Sequence, residues 1–247
     1  MKNKLISLFN WARQPEPIPE SLNPRERTRR SLAYRYLRGN GIEIGALHTP
    51  LTVPKNASVR YVDRLSVEQL RQHYPELAEL PLVEVDILDD GIHLETIANR
   101  SYNFAIANHV VEHLRNPILA IKNALRVLKI GGALYIAIPD KRYTFDRDRP
   151  LTPIDRLLRE YRGTSNRSKR DYFEEYVRLV DKVPEEQVNA RIETLLDMDY
   201  SIHYHVWTAD TFCDFLAYCR DRLGFGFDIE EAQPNQDELI CILTKQS

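Results

Sequence analysis

The feature that most limits the folds open to this chain is an alternation of strand-like and helix-like runs across residues 41–139. Short apolar runs occur at residues 41–45, 59–63, 82–86, 103–107 and 133–138, and helix-like segments separate most of them. Strands that alternate with helices form a parallel sheet with helices packed on its faces. The sequence therefore predicts a doubly wound α/β domain with five parallel strands.

Proline and capping residues set the predicted helix boundaries. Asn23 and Pro24 predict the start of an Arg-rich helix that runs to about residue 38, where glycines follow. Ser66 and Gln69 fit a capping box for a helix after the second strand. A short amphipathic helix is expected at residues 92–98, and Pro117 is expected to begin a longer one.

The last third of the chain has a different pattern. Residues 140–200 are charged and helix-like, which predicts a helical insertion rather than more sheet. Thr208 can cap a helix over residues 209–223, and strand-like runs follow at 225–231 and 239–244 with a turn between them. Such a tight connection requires antiparallel pairing. The predicted domains are an N-terminal arm (1–22), a core (23–139 and 206–247) and an insertion that caps an acceptor (140–205).

Composition excludes several classes of function. The net charge is -2, so no overall basic character points to nucleic acid. No apolar run approaches the roughly 20 residues of a membrane span, and the first residues lack the apolar core of a secretory signal. The three cysteines, all late in the chain, are not spaced for metal. We expect a cytoplasmic protein without a membrane span, and the Arg-rich helix or the insertion could form a homodimer face.

Polar residues end several of the predicted strands. Gly45, Asp63, Asp86 and Asn108 all fall at such ends. Ligands of open parallel sheets bind beyond the carboxyl ends of the strands, so these residues are expected to share one site. Asp63 follows Gly45 at close to the spacing at which an acid binds ribose hydroxyls. Asp86 could accept a hydrogen bond from an exocyclic amine such as that of adenine.

The glycine pattern argues against a dinucleotide. The nicotinamide fingerprint is G-x-G-x-x-G. Aligned on Gly45, the second and third glycine positions hold Leu47 and Pro50, and alignment on Gly41 fails as well. The chain therefore lacks the cradle for a pyrophosphate, which a cofactor without a pyrophosphate does not need.

Five motifs, in order, resemble those of the Rossmann-like (class I) S-adenosylmethionine-dependent methyltransferases, small-molecule branch. They are Glu43-Ile44-Gly45-Ala46, Tyr61-Val62-Asp63, Val85-Asp86-Ile87, the run at residues 107–117 with Asn108, His109, Glu112 and His113, and Leu128-Lys129-Ile130-Gly131-Gly132. The resemblance covers about residues 41–139 and the terminal strand pair. It implies a seven-stranded, mostly parallel sheet and S-adenosyl-L-methionine as cofactor. Leu47 and Thr49 replace two glycines of the family's loop, so this loop must turn with side chains present.

The resemblance also implies a set of cofactor-binding residues: Glu43, Gly45, Ala46, Leu47, Asp63, Arg64, Asp86, Ile87, Asn108 and His109. A hydroxyl acceptor needs a general base as well. The candidates for catalysis are His205, His203, Asp140, His113 and Tyr143. His203 and His205 would share one face of an extended segment, as a base or as a metal pair completed by a carboxylate. No metal site is assigned.

Three functions follow from these observations. The first is methylation of a hydroxyl on a sugar, a glycan or another small polyhydroxylated acceptor, because the run at residues 140–149 mixes charges with aromatic rings. The second is a non-catalytic methyltransferase fold that serves as a binding module, which the altered glycine loop suggests. The third is a nicotinamide oxidoreductase, which the missing fingerprint disfavours.

Overall fold

The computed structural model of the protein describes residues 17–247, so most of the predicted N-terminal arm lies outside the described residues. The strands are β1 (Gly39–Ile44), β2 (Ala57–Asp63), β3 (Ile87–Leu88), β4 (Tyr102–Asn108), β5 (Leu128–Pro139), β6 (Phe227–Asn235) and β7 (Glu238–Lys245). The α-helices are α1 (Pro24–Tyr36), α2 (Val67–His73), α3 (Pro117–Val127), α4 (Ile154–Tyr161), α5 (Lys169–Tyr176), α6 (Glu185–Asp197) and α7 (Ala209–Asp221).

All seven strands form one sheet in the order β3-β2-β1-β4-β5-β7-β6. Neighbouring strands from β3 to β5 pair in parallel, whereas β7 pairs antiparallel with both β5 and β6. Strand order reverses between β1 and β4, which is where ligands bind to sheets of this kind. The predicted fold class, a mostly parallel seven-stranded sheet with a terminal antiparallel pair, is confirmed.

The predicted caps explain where the helices begin. Asn23 accepts a hydrogen bond from the Glu26 N–H at 2.9 Å, with Pro24 at the first helical position of α1. Ser66 and Gln69 form the predicted capping box of α2. Thr208 caps α7 in the same way.

Alternate residues of the strands supply two cores. On one face, Phe104, Ile106 and Tyr135 pack with Leu32, Ala33 and Leu37, which belong to α1 or directly follow it. On the other face, strand residues pack against α3, α4 and α7. Because successive strand residues point to opposite faces, both sides of the sheet are covered. Helix α1 is thereby fixed to the sheet beside the β1–β4 crossover.

Three sequence predictions about local structure are wrong. The third strand is not at residues 82–86: that segment makes only isolated bonds, such as Val83 N–H to the Leu47 carbonyl, and β3 begins after it. The terminal turn is also shorter than predicted, because β6 continues to Asn235. The helix expected at residues 92–98 is a series of turns.

Side chains replace helical hydrogen bonds in this stretch of turns. Asp89 and Asp90 accept backbone N–H bonds from Thr96, Ile92 and His93. The Arg126 guanidinium donates to the carbonyl oxygens of His93, Leu94 and Ile97. Because the backbone groups find these partners, the segment forms no helix.

The insertion contains α4, α5 and α6, with a π-helical turn (Val177–Asp181) after α5. Leu157 and Leu158 of α4 pack in the main core, whereas α5 and α6 form a separate apolar cluster around Tyr172 and Phe173. Arg149 is fully buried and binds the carboxylates of Asp146 and Glu175. Within residues 17–247, no helix is both long and apolar enough to cross a membrane.

Candidate active site

A cleft of about 300 Å³ lies beyond the carboxyl ends of β1, β2 and β4. Six of the residues singled out by sequence line it: Gly45, Leu47, Asp63, Arg64, His109 and His113. Apolar side chains including Leu70, Leu77, Val110 and Leu114 complete its walls. The cleft is thus part polar and part apolar, as small-molecule sites usually are.

The loop after β1 turns without the family's extra glycines. Gly45 has φ +63° and Leu47 has φ +52°, so both lie in the left-handed region. That conformation is unusual for leucine and is retained where surrounding contacts enforce it. Here the Leu47 carbonyl accepts a hydrogen bond from Val83 N–H at 2.9 Å. The loop therefore keeps its backbone next to the cleft despite its side chains.

The end of β2 presents Asp63 to the cleft. One carboxylate oxygen accepts a hydrogen bond from Leu65 N–H at 3.2 Å. Burial raises the pKa of Asp63, and backbone hydrogen bonds partly oppose this shift. The neighbouring Arg64 binds Asp199 of the insertion at 2.8 Å, so it ties the insertion to this side of the cleft.

The acid at the end of β3 is Asp89, not Asp86. Asp86 precedes the strand, binds Tyr61 N–H at 2.8 Å and, with Ile87, lines a separate hollow. The reason is the position of β3, which begins one residue after Asp86. Asp89 directly follows β3 and lines the cleft with Asp63. The pair Asp89-Asp90 before Gly91 was the available sequence signal for this residue.

A second cavity, of about 530 Å³, adjoins the cleft and shares Gly45 and His109 with it. It lies between α1 and the loop after β1. Its walls include three more of the predicted residues, Glu43, Ala46 and Asn108. Arg25 and Arg29 of α1 also line it, although no residue of the Arg-rich helix is among the predicted site residues.

Glu43 is a buried carboxylate in the wall of this second cavity. Its oxygens accept hydrogen bonds from Leu51 N–H at 3.0 and 3.1 Å and from Asn108 Nδ2 at 3.4 Å. Burial raises the pKa of Glu43 to about 7, because desolvation outweighs these hydrogen bonds. Glu43 therefore sits close to the midpoint of its titration near neutral pH.

Glu238, at the start of β7, is the carboxylate that binds the cationic side chains beside the second cavity. Arg25, Arg29, His109 and Asn235 all bond to its carboxylate, at 2.5–2.9 Å. These partners outweigh burial and hold the pKa of Glu238 well below its usual range. Burial opposes charge on His109 as well, but the carboxylates of Glu112 and Glu238 raise its pKa to about 9.

On the far side of His109, residues Val111–His113 form a 3₁₀ turn. The His113 Nδ1 lies 3.0 Å from the Ile202 carbonyl oxygen and 2.9 Å from Ser201 Oγ. Its ring meets that of His203 edge-on, with 4.6 Å between centroids. Burial, followed by the charge of His203, lowers the pKa of His113 to about 4, so its imidazole is neutral at neutral pH.

His203 is the member of the predicted histidine pair that faces this region. Its Nδ1 lies 2.5 Å from Asp146 Oδ2, and its ring centroid lies 4.8 Å from that of Phe145. Phe145 is about half exposed. The sequence named neither Asp146 nor Phe145 as an individual site residue, although both belong to the charged and aromatic run after β5.

His205 has different surroundings from His203. Its ring packs near Trp207 and Tyr172, and Nε2 lies 3.2 Å from the Arg115 carbonyl oxygen. The expectation of one shared face assumed an extended chain. In the structure, the Tyr204 and His205 N–H groups both donate to the Glu112 carbonyl, so the chain bends there. Burial lowers the pKa of His205 to about 3.

The two remaining catalytic candidates lie outside the histidine cluster. The Asp140 carboxylate binds the Arg142 side chain and accepts a hydrogen bond from Ala209 N–H at 2.9 Å. Burial disfavours the charge of Asp140, but these partners lower its pKa. Tyr143 is 64% exposed. Asp140 thus links the end of β5 to the start of α7, and Tyr143 lies on the surface.

A mostly parallel sheet with a cofactor-sized cleft at its topological switch point defines the class of the protein as a Rossmann-like, ligand-binding α/β protein. Residues 56–217, more than half of the chain, match the family model described as a methyltransferase domain. The chain therefore belongs to this methyltransferase family, and its cofactor is S-adenosylmethionine. No curated protein has a sequence that matches it significantly.

Several solved structures share the fold. A SAM-dependent methyltransferase from Methanosarcina mazei is 16% identical, with a TM-score of 0.48 over 87% of this chain and 97% of that one. A Rhodobacter sphaeroides protein named as a Zn-dependent alcohol dehydrogenase is 13% identical, with a TM-score of 0.50 over 85% of each chain. The CurJ carbon methyltransferase is 12% identical, with a TM-score of 0.45 over 92% of this chain. This chain spans about half of the CurJ chain's length, 51%. At these identities the likeness concerns the fold alone.

The residues present fit S-adenosylmethionine. An acid at the end of β2 suits a ribose diol, and the apolar wall of the cleft suits an adenine ring. Asn108 Oδ1 is buried without a hydrogen-bond partner among the described residues, in the wall of the second cavity. A side chain at Gly45 would place its Cβ 3.2 Å from Val110 Cγ2, so glycine keeps this approach open.

Proposed function

We propose that the protein transfers a methyl group from S-adenosylmethionine to a hydroxyl of a sugar or another small polyhydroxylated acceptor. The observation that carries this proposal is the junction between the cleft and the histidine cluster. His113 lines the cleft and also contacts His203, which packs against the half-exposed ring of Phe145. Polar imidazoles beside an exposed aromatic ring suit an acceptor that has hydroxyl groups on an apolar frame.

The two cavities suggest an orientation for the cofactor. Asp63, Asp89 and the apolar side chains favour adenosine in the 300 Å³ cleft. The second cavity contains a carboxylate, Glu43, and two guanidinium groups, Arg25 and Arg29. A carboxylate facing cations complements the amino and carboxylate groups of methionine. Gly45 and His109 belong to both cavities, so the reacting methyl group is expected beside them.

S-adenosylmethionine supplies an activated methyl group on a sulfonium, so the chain has mainly to align the acceptor and exclude water. His113 is placed for this task, since it lines the cleft and its ring is held by the Ile202 carbonyl at Nδ1. We assign alignment of the acceptor to His113 and His203. His205 and Asp140 support the walls of the site instead, because their polar atoms bind the chain itself.

The helical insertion would act as the cap over the acceptor. It supplies His203, Phe145 and Asp146 to the histidine cluster, and Asp199 binds Arg64 across the cleft. Residues 140–205 would therefore determine acceptor choice, while the rest of the sheet edge binds the cofactor. This division of roles follows the predicted boundaries of the insertion, residues 140–205.

The cofactor half of the proposal can be tested by calorimetric titration of S-adenosylmethionine into the wild type and two aspartate variants. Asp63→Ala removes the acceptor for the ribose hydroxyls, and we expect a loss of about 1–3 kcal/mol, roughly 5- to 150-fold in Kd. Asp86→Ala is the matched control, because Asp86 lies outside the cleft. Unchanged affinity in a folded Asp63→Ala protein would contradict the assignment.

The acceptor half is tested by turnover. Purified protein with radiolabelled S-adenosylmethionine should label members of a panel of sugars and polyols, and mass spectrometry should find the methyl group on oxygen. Matched amines and thiols serve as controls. Labelling of an amine, a thiol or a carbon centre instead would overturn the choice of a hydroxyl, and binding without any turnover would favour a non-catalytic module.

A further inference from the structure

We propose that Glu112, His113 and His203 bind a divalent transition-metal or zinc ion at the acceptor side of the cleft. One potential ligand atom from each residue lies within 4.8 Å of those of the other two. Two imidazoles and one carboxylate are a ligand set that zinc, iron, manganese and cobalt use in proteins.

Both imidazoles are held in the way that metal-binding histidines are held. His113 Nδ1 is bonded to the Ile202 carbonyl oxygen, and His203 Nδ1 is bonded to Asp146 Oδ2 at 2.5 Å. These partners leave Nε2 as the available nitrogen on each ring. A carbonyl or carboxylate on the second ring nitrogen orients a metal-ligating histidine and raises its basicity. Asp146 is itself fixed by the buried Arg149 at 2.8 Å.

The buried carboxylate of Glu112 is a second observation that supports a metal ion at this place. Its side chain is completely buried, yet neither carboxylate oxygen accepts a hydrogen bond among the described residues. The nearest cation is His109, whose Nδ1 lies 3.4 Å from Oε1. A buried carboxylate without hydrogen bonds costs several kcal/mol in desolvation, so such groups are usually paired or bound to metal. Apart from His109, a cation between Glu112 and the two imidazoles would give these unbonded carboxylate oxygens a direct ligand.

The position of the cluster gives the ion a role that rests on the proposed function. His113 also lines the cleft, so an ion at this cluster can bind the acceptor oxygen. Coordination lowers the pKa of a bound hydroxyl, which then loses its proton to water. The oxygen forms a bond to the methyl carbon while the carbon–sulfur bond breaks, and the sulfonium becomes a neutral thioether. The acceptor class would accordingly include vicinal diols, which can chelate one ion.

Metal binding can be measured without acceptor or turnover. Co²⁺ is titrated into chelator-treated protein and followed by its visible absorption, and Zn²⁺ is then added as a competitor. We expect one Co²⁺ per chain, displaced by Zn²⁺. His113→Ala and His203→Ala should each weaken binding at least 100-fold, and Asp146→Asn should weaken it about 10- to 100-fold. His93→Ala is the matched control, since His93 is exposed and bonded only locally.

The result that would overturn the inference is a wild type without stoichiometric Co²⁺ or Zn²⁺ binding, or equal binding in folded ligand variants. If a variant fails to fold, anomalous diffraction from wild-type crystals soaked in Zn²⁺ decides the matter, and an ion found elsewhere rejects the site. Because these readouts need no acceptor, metal binding without methylation of any hydroxyl would reject the proposed function and leave the metal site standing.

Discussion

Two buried glutamates on either side of His109 have opposite surroundings. Glu238 receives hydrogen bonds from two arginines, a histidine and an asparagine. Glu112 receives none among the described residues, and its one ion pair is with His109 at 3.4 Å. The chain has thus fully neutralised one carboxylate and left the other without hydrogen bonds. A saturated carboxylate stabilises the fold, whereas an unsaturated one buried next to a cleft-lining residue points to a ligand.

The largest expected effect concerns Glu238. Glu238→Gln keeps the shape but removes the buried charge that faces Arg25, Arg29 and His109, so three partly buried cations lose their shared partner. Such losses cost about 3–5 kcal/mol of unfolding free energy. Urea denaturation at pH 7 measures this change. A loss below about 1 kcal/mol would show that the arginines find solvent instead and that Glu238 does not stabilise the fold.

Glu43 has fewer hydrogen-bond partners than Glu238 and more than Glu112, and its contribution to the free energy of unfolding should depend on pH. Its folded pKa of about 7 lies above the ordinary value of 4.5, so its stabilising contribution is complete below pH 4.5. That contribution is lost as the pH rises to 7, by on the order of 3 kcal/mol. Glu43→Gln should therefore gain stability relative to the wild type between pH 5 and pH 8. A difference that does not depend on pH would mean that Glu43 ionises normally.

The smallest effect is expected at Glu112. Glu112→Gln removes no hydrogen bond among the described residues and loses only the ion pair with His109, which keeps Glu238 as a partner. In chelator-treated protein we therefore expect a change in stability of about 1 kcal/mol or less. The measurement is the same urea titration as for Glu238→Gln, which makes the two variants a matched pair. A loss as large as that of Glu238→Gln would remove the contrast between the two carboxylates.

The sequence predicts the fold class and many of the residues that line the candidate site. Apolar runs that end in Gly45, Asp63 and Asn108 place those residues at one sheet edge, because parallel strands end together. Helix starts at Asn23, Ser66 and Thr208 follow from local capping chemistry, and the structure confirms them. Such features depend on neighbouring residues in the chain, so sequence reasoning reaches them.

The features that sequence reasoning missed depend on tertiary contacts. Asp146 and His203 are 57 residues apart, and only the packing of the insertion brings them together. The acid that lines the cleft is Asp89 rather than Asp86 because β3 pairs with β2 at residues 87–88. A strand of only two residues has no sequence pattern that would locate this pairing. Glu238 escaped notice because it begins a strand, whereas site residues were sought at strand ends.

The reversed direction of β7 has a consequence for how the protein is made. Glu238 pairs with Pro139 in the register of β5 and β7, so a late segment of the chain places its first residue at the sheet edge that carries the candidate site. Arg25 and Arg29, which both bind Glu238, are synthesised more than two hundred residues earlier. During translation, the cluster of charges around Glu238 can therefore assemble only after β7 has emerged from the ribosome.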